Sequence, residues 1–379
     1  MITPTTIEPS SAGAPAVPLG AIHTRERQFT RIFTTMYGQK QRARTRLPVK
    51  TQAVRMHAAG GPEVLRVDDL RVPDPGATEV RIAQRAIGLN FLDTYQRRGA
   101  FPSPGLPWVV GFEGAGVVEA VGGAVTTLKE GDRVAYASTP PGAYAGLRTI
   151  AADALVRLPD AIGFEQAAAT MLKGMTAEYL VHKSGAVQTG DAVLVHAAAG
   201  GTGLLLCQWL AHEGATVIGC AGGDEKRELA QAHGCRHAID YRREDVAARV
   251  AALTGGEGLA VVYDSVGRDT AEDSVACLRL GGTLVLYGSS SGAPSQSALA
   301  AAAAKSIRVV RPGLFQENDT PAALQARASA LFEVLESGAV VPLVERRYAL
   351  TDAADAHRDL EARRTNGQSV LIPGESVSA

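Results

Sequence analysis

One stretch constrains the fold of this 379-residue chain more than any other. Residues 192–196 form a short apolar run of strand character, and residues 202–213 read as an amphipathic helix. The turn between them is Ala197-Ala-Ala-Gly-Gly-Thr-Gly203. It satisfies A-x-x-G-x-x-G, and also G-x-G-x-x-G with Ala198 at the first glycine and Gly200 at the second. Small residues there let the backbone come close to a bulky anion. The helix that follows offers that anion its free N–H groups and the positive end of its dipole. Alone, such a turn also arises from simple packing; between a strand and a helix it marks a pyrophosphate site.

The surroundings supply that context. Residues 165–172 and 176–184 are helical in propensity. Strands at 192–196, 216–220, 237–240, 259–264 and 283–287 then alternate with helices at 202–213, 225–233, 244–253 and 270–278. This order predicts a doubly wound parallel sheet with helices on both faces. A helix at 321–337 and a strand at 369–372 come last. Before residue 164 the texture differs, with short β segments at 52–57, 64–68, 80–87, 111–122 and 131–136, punctuated by glycine. The chain is therefore α/β, with a compact β-rich domain ahead of the parallel sheet, and no solenoid repeat is visible.

Lys+Arg 38 against Asp+Glu 39 argues against a chain-wide basic footprint for nucleic acid or an anionic membrane. The balance is uneven, since residues 1–50 hold eight basic and two acidic side chains and the remainder 30 and 37. Residues 1–48 show four early prolines, an Arg-rich stretch and no apolar core of a secretory signal. Their composition fits a disordered tail, the simpler expectation, or an organelle transit peptide. Cys207, Cys220, Cys235 and Cys277 lie far apart, which argues against a disulfide framework or a thiolate zinc site and for a reducing, cytoplasmic setting. The uncharged runs 192–212 and 280–304 are broken by Gly, Ser and Pro294, as strand and turn rather than as membrane spans.

An NAD site usually places Asp or Glu at the end of the second strand, gripping the ribose 2′-hydroxyl. Here Gly222-Gly223 stands there, followed by Asp224-Glu225-Lys226-Arg227. The missing carboxylate removes a repulsion and Lys226 is positioned for a 2′-phosphate, so NADPH is the expected cofactor. Asp224 leaves NAD open.

Taken together, Asn90-Phe-Leu-Asp-Thr-Tyr95, Gly111-Phe-Glu-Gly-Ala-Gly116, Met171-Leu-Lys-Gly-Met-Thr176, the turn after His196, Val262-Tyr-Asp-Ser-Val-Gly267 and Tyr287-Gly-Ser-Ser-Ser-Gly292 are specific. They resemble the NADPH:quinone oxidoreductases of the zinc-independent medium-chain dehydrogenase/reductase superfamily, the group that includes zeta-crystallin. The resemblance covers about residues 50–373. It implies a GroES-like catalytic domain from residue 49 to 174, a Rossmann domain over 175–313, and a return to the catalytic domain over 314–379. It also implies a homodimer, with substrate and nicotinamide in the cleft between the domains. By motif match, Phe91, Tyr95, Tyr179, Gly200, Gly201, Thr202, Gly222, Lys226, Tyr241, Ser265, the loop Gly288, Ser289, Ser290 and Ser291, and Arg363 would line the cofactor. Gly223 departs from the pattern, since the close relatives have a hydroxyl residue there.

Zinc alcohol dehydrogenases of this superfamily take metal ligands from a Cys and from the His of a G-H-E motif. Asn90 and Phe112 stand at those places, and no cysteine precedes Cys207, so no metal is expected. Reduction of an electrophilic acceptor does not need a Lewis acid. Asn90 and Tyr95 are the candidates for orienting the substrate, with Tyr95 equally able to do no more than pack against the nicotinamide. Glu113 reads as a buried structural carboxylate. The expected activity is zinc-independent, NADPH-dependent quinone reduction by electron or hydride transfer. An enone or enoyl-thioester reductase of the same fold is the alternative enzyme. A low-turnover NADPH-binding structural or RNA-binding protein is the alternative of another class.

Overall fold

The computed structural model describes residues 49–100 and 105–374, so the extension expected over residues 1–48 lies outside the described residues. Its first part is built from β1 (Val49–Met56), β2 (Leu65–Val72), β3 (Glu79–Gly88), α1 (Phe91–Arg97), β4 (Trp108–Val109), β5 (Glu113–Val121), β6 (Arg133–Ala137), β7 (Leu147–Ala151) and β8 (Val156–Arg157). The helix α2 (Phe164–Tyr179) follows and runs into a π-helical turn, Leu180–Gly185. A regular alternation comes next: β9 (Ala192–Val195), α3 (Gly201–His212), β10 (Thr216–Ala221), α4 (Asp224–Ala232), β11 (His237–Asp240), α5 (Val246–Leu253), β12 (Leu259–Asp264), α6 (Ala271–Cys277), β13 (Leu278–Leu286), α7 (Gln296–Ala304) and β14 (Arg308–Val310). The chain ends with α8 (Leu314–Glu317), α9 (Pro321–Glu336), β15 (Val344–Ala349), α10 (Ala353–Glu361) and β16 (Gln368–Ile372).

The β-rich part holds a three-stranded sheet, β2-β1-β4, and a seven-stranded sheet in the order β15-β16-β3-β5-β6-β8, with β7 also on β3. The last two strands of the chain therefore form one edge of the seven-stranded sheet. Its core is formed by Ile82, Val118, Val134, Tyr136 and Tyr144, together with Leu350 and Leu371 from the end of the chain. The six strands β11-β10-β9-β12-β13-β14 pair in parallel throughout. Every residue of β12 is buried, as the continuous apolar run of a strand covered on both faces requires. Because the first strand of this sheet lies in its middle, neighbouring connections diverge between β9 and β12 and leave a crevice at their carboxyl ends.

Two expectations differ in detail. The helical segments 165–172 and 176–184 join into α2 and the π-helical turn that continues it, because Gly174 is a packing site rather than a break. A Cβ there would lie 2.5 Å from Leu331 Cδ1, so the missing side chain lets α9 lean on α2. The strand expected at 283 begins at Leu278, carrying Gly281 and Gly282 within it. Among the described residues no helix is long and apolar enough to cross a membrane.

Leu331 is fully buried at the α2–α9 contact. Leu331→Ala should lower the urea-unfolding free energy by about 3 kcal/mol, chiefly through the cavity left against Gly174.

Candidate functional site

A cavity of about 980 Å³ opens at the carboxyl ends of β9 and β12, walled on its far side by α1 and α2. Its floor is the glycine turn. Ala197 takes a left-handed backbone (φ 52°), and Gly200 precedes α3 with no side chain capping the helix, so the first N–H groups of α3 are left for a ligand. Gly203 is needed where it stands, since a Cβ would meet the Ala197 carbonyl oxygen at 2.3 Å. Gly201 bears on two neighbours at once: a Cβ would lie 3.0 Å from both the Gly367 carbonyl oxygen and Lys173 Cδ. Gly200 also forms an isolated bridge with Gly367, so the end of the chain braces this turn.

At one end of the cavity Gly222 faces Tyr241, whose hydroxyl would be 2.7 Å from a Cβ on Gly222. Lys226 donates to the carbonyl oxygens of Arg363 (3.0 Å) and Thr365 (3.3 Å). Partial burial and the nearby Arg242 pull its ammonium below the ordinary lysine range. Those carbonyls orient the cation without neutralising it. Asp224 does not line the cavity; its carboxylate is held by Arg227 and Arg243, each at 3.1 Å. Arg363, left-handed at φ 57°, lines the same end.

The opposite end is set by α1. Asp93 accepts the Asn90 backbone N–H at 2.8 Å and so fixes the start of a helix only seven residues long. That helix presents Phe91, Leu92, Tyr95 and Gln96 to the cavity. The Tyr95 hydroxyl accepts the Ser289 N–H at 3.4 Å across the cleft. Asn90 Nδ2 donates to Glu113 Oε2 at 2.7 Å, while Glu113 Oε1 accepts the Leu172 N–H at 2.6 Å and Lys173 Nζ lies 3.3 Å from Oε2. Burial raises the Glu113 pKa, against the pull of Lys173 and Asn90.

Of the residues singled out in the sequence, Asn90, Phe91, Tyr95, Tyr179, Gly200, Gly201, Thr202, Gly222, Lys226, Tyr241, Ser265, Gly288, Ser290 and Arg363 all line this one cavity. Ser289 reaches it through its backbone contact with Tyr95, whereas Ser291 turns its hydroxyl to the Val266 carbonyl. Lys173, Thr176, Gln96, Trp108 and Phe315 are wall residues that sequence reasoning did not single out. Lys173 carried a legible signal, a lone charge inside the apolar run 167–177.

Behind α1 lies a buried chain of polar groups. Arg97 Nη1 is 3.1 Å from His357 Nδ1, and His357 Nε2 is 3.0 Å from the Tyr144 hydroxyl, which donates to Asp93 Oδ2 at 2.8 Å. Arginine can only donate, so Nδ1 is the acceptor and Nε2 carries the imidazole proton. Burial raises Asp93 from the ordinary 3.8 to about 7. Burial and Arg97 lower His357 from 6.5 to about 3. Both shifts favour the neutral forms, Asp93 below about pH 7 and His357 above about pH 3.

The two shifts have opposite linkage. Between roughly pH 4 and 7 the fold binds more protons at Asp93 than the unfolded chain does, so that group makes stability fall as pH rises. Between roughly pH 3 and 6.5 the unfolded chain binds more at His357, so that group makes stability rise with pH. Asp93→Asn should tilt the stability curve upward relative to wild type across pH 4–7, by up to about 1.4 kcal/mol per pH unit. His357→Gln should tilt it downward across pH 3–6.5. Urea unfolding at stepped pH measures both.

Residues 76–192 match the family model for the alcohol dehydrogenase GroES-like domain, and residues 201–329 that for zinc-binding dehydrogenases. The zinc of that description has no fitting donor set here. Asn90 is tied to Glu113, Phe112 packs on Phe315 at 5.5 Å, and no cluster of three metal-binding side chains occurs among the described residues. A quinone oxidoreductase of Pseudomonas aeruginosa is 50% identical over 321 residues, covering 84% of this chain and 99% of that protein. A 2-haloacrylate reductase of a Burkholderia species is 40% identical over 326 residues, covering 84% and 98%. The Escherichia coli quinone oxidoreductase solved in complex with NADPH superposes with a TM-score of 0.83 at 43% identity, over 85% of this chain and all of that one.

Proposed function

The chain belongs to the quinone oxidoreductase family of the medium-chain dehydrogenase/reductase superfamily, and from that premise we propose that it reduces quinones with NADPH and without a metal. The observation that carries the reading is the cavity itself. A glycine turn with an uncapped helix start, a lysine whose hydrogen bonds go to backbone carbonyls and a largely apolar far wall share one space.

The residues present fit NADPH. The N–H groups at Gly201–Gly203 would hold the pyrophosphate, and Gly222 leaves the backbone open to the ribose. Lys226, with Tyr241 and Arg363, would take the 2′-phosphate, since carbonyl partners leave the lysine charge available to an anion. Bound NADPH supplies a hydride from its nicotinamide C4. Tyr95, tied to Ser289, would fix the plane against which the acceptor lies, and Asn90 would present its amide to an acceptor oxygen. Leu92, Trp108, Phe112, Pro140 and Phe315 would exclude water and stack on a flat ring.

The domain limits near residues 174 and 313 are part of the proposal, as are a homodimer and a cytoplasmic location. The parallel sheet ends at the edge strand β14, where Val309 is exposed, and Leu280 is 77% exposed on its neighbour β13, a face suited to a second copy. The four cysteines are buried and unpaired, which suits a reducing compartment.

A second acceptor class, activated acrylates, has support from the 40%-identical haloacrylate reductase. Absorbance at 340 nm should show rapid NADPH oxidation with 1,4-naphthoquinone, and much slower oxidation with NADH or with 2-chloroacrylate. Turnover on the acrylate alone would overturn the quinone reading. Lys226→Ala should raise the KM for NADPH about tenfold, a loss near 1.4 kcal/mol, and leave the KM for NADH within twofold. An equal rise for both would show that Lys226 only latches the loop at Arg363.

A further inference from the structure

We propose that Lys173 is a catalytic residue that gives the acceptor its proton, held at the cavity wall by Glu113; this rests on the quinone reading above. Hydride adds two electrons but only one hydrogen to a quinone, so one product oxygen is left as an anion. With a ring seated against Leu92, Trp108 and Phe112, the second hydrogen has to come from a donor on the cavity wall.

Few wall groups can do so. The Thr176 hydroxyl already donates to the Leu172 carbonyl at 2.7 Å. Burial lowers the His196 pKa, and its ring is engaged with Ser274 at 3.0 Å, whose hydroxyl is in turn committed to Asp264. Asn90 is an amide and no acid. Lys226 sits at the other end, on backbone carbonyls. The Tyr95 phenol, partly buried and raised above its ordinary pKa, is the nearest rival; burial raises the Tyr179 and Tyr287 phenols on the same wall as well, and Tyr241 belongs to the Lys226 end.

Lys173 differs from all of these. Its ammonium has three hydrogens and a single partner among the described residues, Glu113 Oε2 at 3.3 Å. Its stem crosses the cofactor turn, where only the missing side chain of Gly201 makes room, and its head stops beside Asn90. The cation thus lies between the turn that would carry the cofactor and the amide that would meet the substrate. The charged or titratable side chains acting on it are Glu113 from β5 and Asp93 from α1. Glu113 already has the Asn90 amide and the Leu172 N–H, so it does not depend on Lys173 for hydrogen bonds.

The step balances. The quinone accepts the hydride as NADPH is oxidised to NADP+. The Nζ–H bond breaks as an O–H bond forms at the anionic oxygen, leaving hydroquinone and a neutral amine. The amine regains its proton from solvent after the product leaves.

Two measurements test this. In the first, 4-nitrophenol, which cannot be reduced by hydride at a quinone oxygen, is titrated by its absorbance at 400 nm in the wild-type complex with NADP+. Lys173 should favour the phenolate and lower the apparent pKa of the bound phenol by about one unit, an effect absent in Lys173→Met and retained in Tyr95→Phe. No lowering in the wild type, or its loss in Tyr95→Phe alone, overturns the proposal. In the second, Lys173→Met should cut quinone turnover roughly 100-fold with NADPH binding by fluorescence within twofold. The double variant Glu113→Gln/Lys173→Met should remain as slow. Recovery to within about threefold of wild type would show that Lys173 merely neutralises Glu113, and overturns the proposal. Wild-type protein that binds NADPH but turns over no quinone sinks the functional reading instead, while the phenol titration still judges Lys173.

Discussion

The structure depends on a carboxylate that water does not reach. Glu113 opens β5, and its two oxygens receive the Asn90 amide, the Leu172 N–H and the Lys173 ammonium. Those donors come from the start of α1 and the middle of α2, so one side chain fixes the distance between the helix that faces the substrate end and the helix that faces the cofactor turn. The site is cut to fit it. A Cβ at Gly88 would lie 2.1 Å from Glu113 Oε2 and 2.2 Å from the Ala168 carbonyl oxygen, so β3 can pass only as glycine. An unpaired carboxylate at this depth would cost several kcal/mol, and the three donors offset that cost only when all three segments are in place. The interaction is therefore a test of correct assembly as much as a source of stability.

The same logic governs the return of the chain. β16 pairs with β3, Gly367 bridges Gly200, and Lys226 is held by the carbonyls of Arg363 and Thr365. A segment leading into the seven-stranded sheet thus braces both the pyrophosphate turn and the cation beside it. Cofactor end and substrate end are coupled through the backbone, with no long-range charge effect required. The buried chain from the Arg97 guanidinium through His357 and Tyr144 to Asp93 fixes α10 behind α1 in the same way, each link joining one donor to one acceptor.

Much of this was legible in the residues. Strands 237–240 and 259–264 coincide with the observed β11 and β12; β12, covered on both faces, is a nearly unbroken apolar run, whereas β11 is a half-buried edge strand marked off by the polar turns around it. The turn after β9 was legible for a different reason: its glycines are demanded by backbone contacts within a few residues of sequence. What escaped was short or non-local. Seven residues of α1 are too few for periodicity, and α10 buries Ala353, Ala356 and His357 where a large apolar stripe would have been the cue. Lys173 could be seen as a charge in an apolar helix, but its partner Glu113 is 60 residues away and the spacing says nothing about their meeting.

The two lysines show how a cavity can use one residue type for two purposes. The hydrogen bonds of Lys226 go to carbonyl oxygens, which orient an ammonium without pairing it with a carboxylate, and such a cation attracts a permanent anion. Lys173 is paired with a carboxylate, so its charge is cancelled at rest and the pair neither draws anions in nor repels a neutral ring. Only when negative charge develops on an acceptor oxygen does the ammonium gain a second partner. Binding strength is thus concentrated at the phosphate end, and the response to reaction at the ring end, which is the division that raises turnover rather than ground-state affinity.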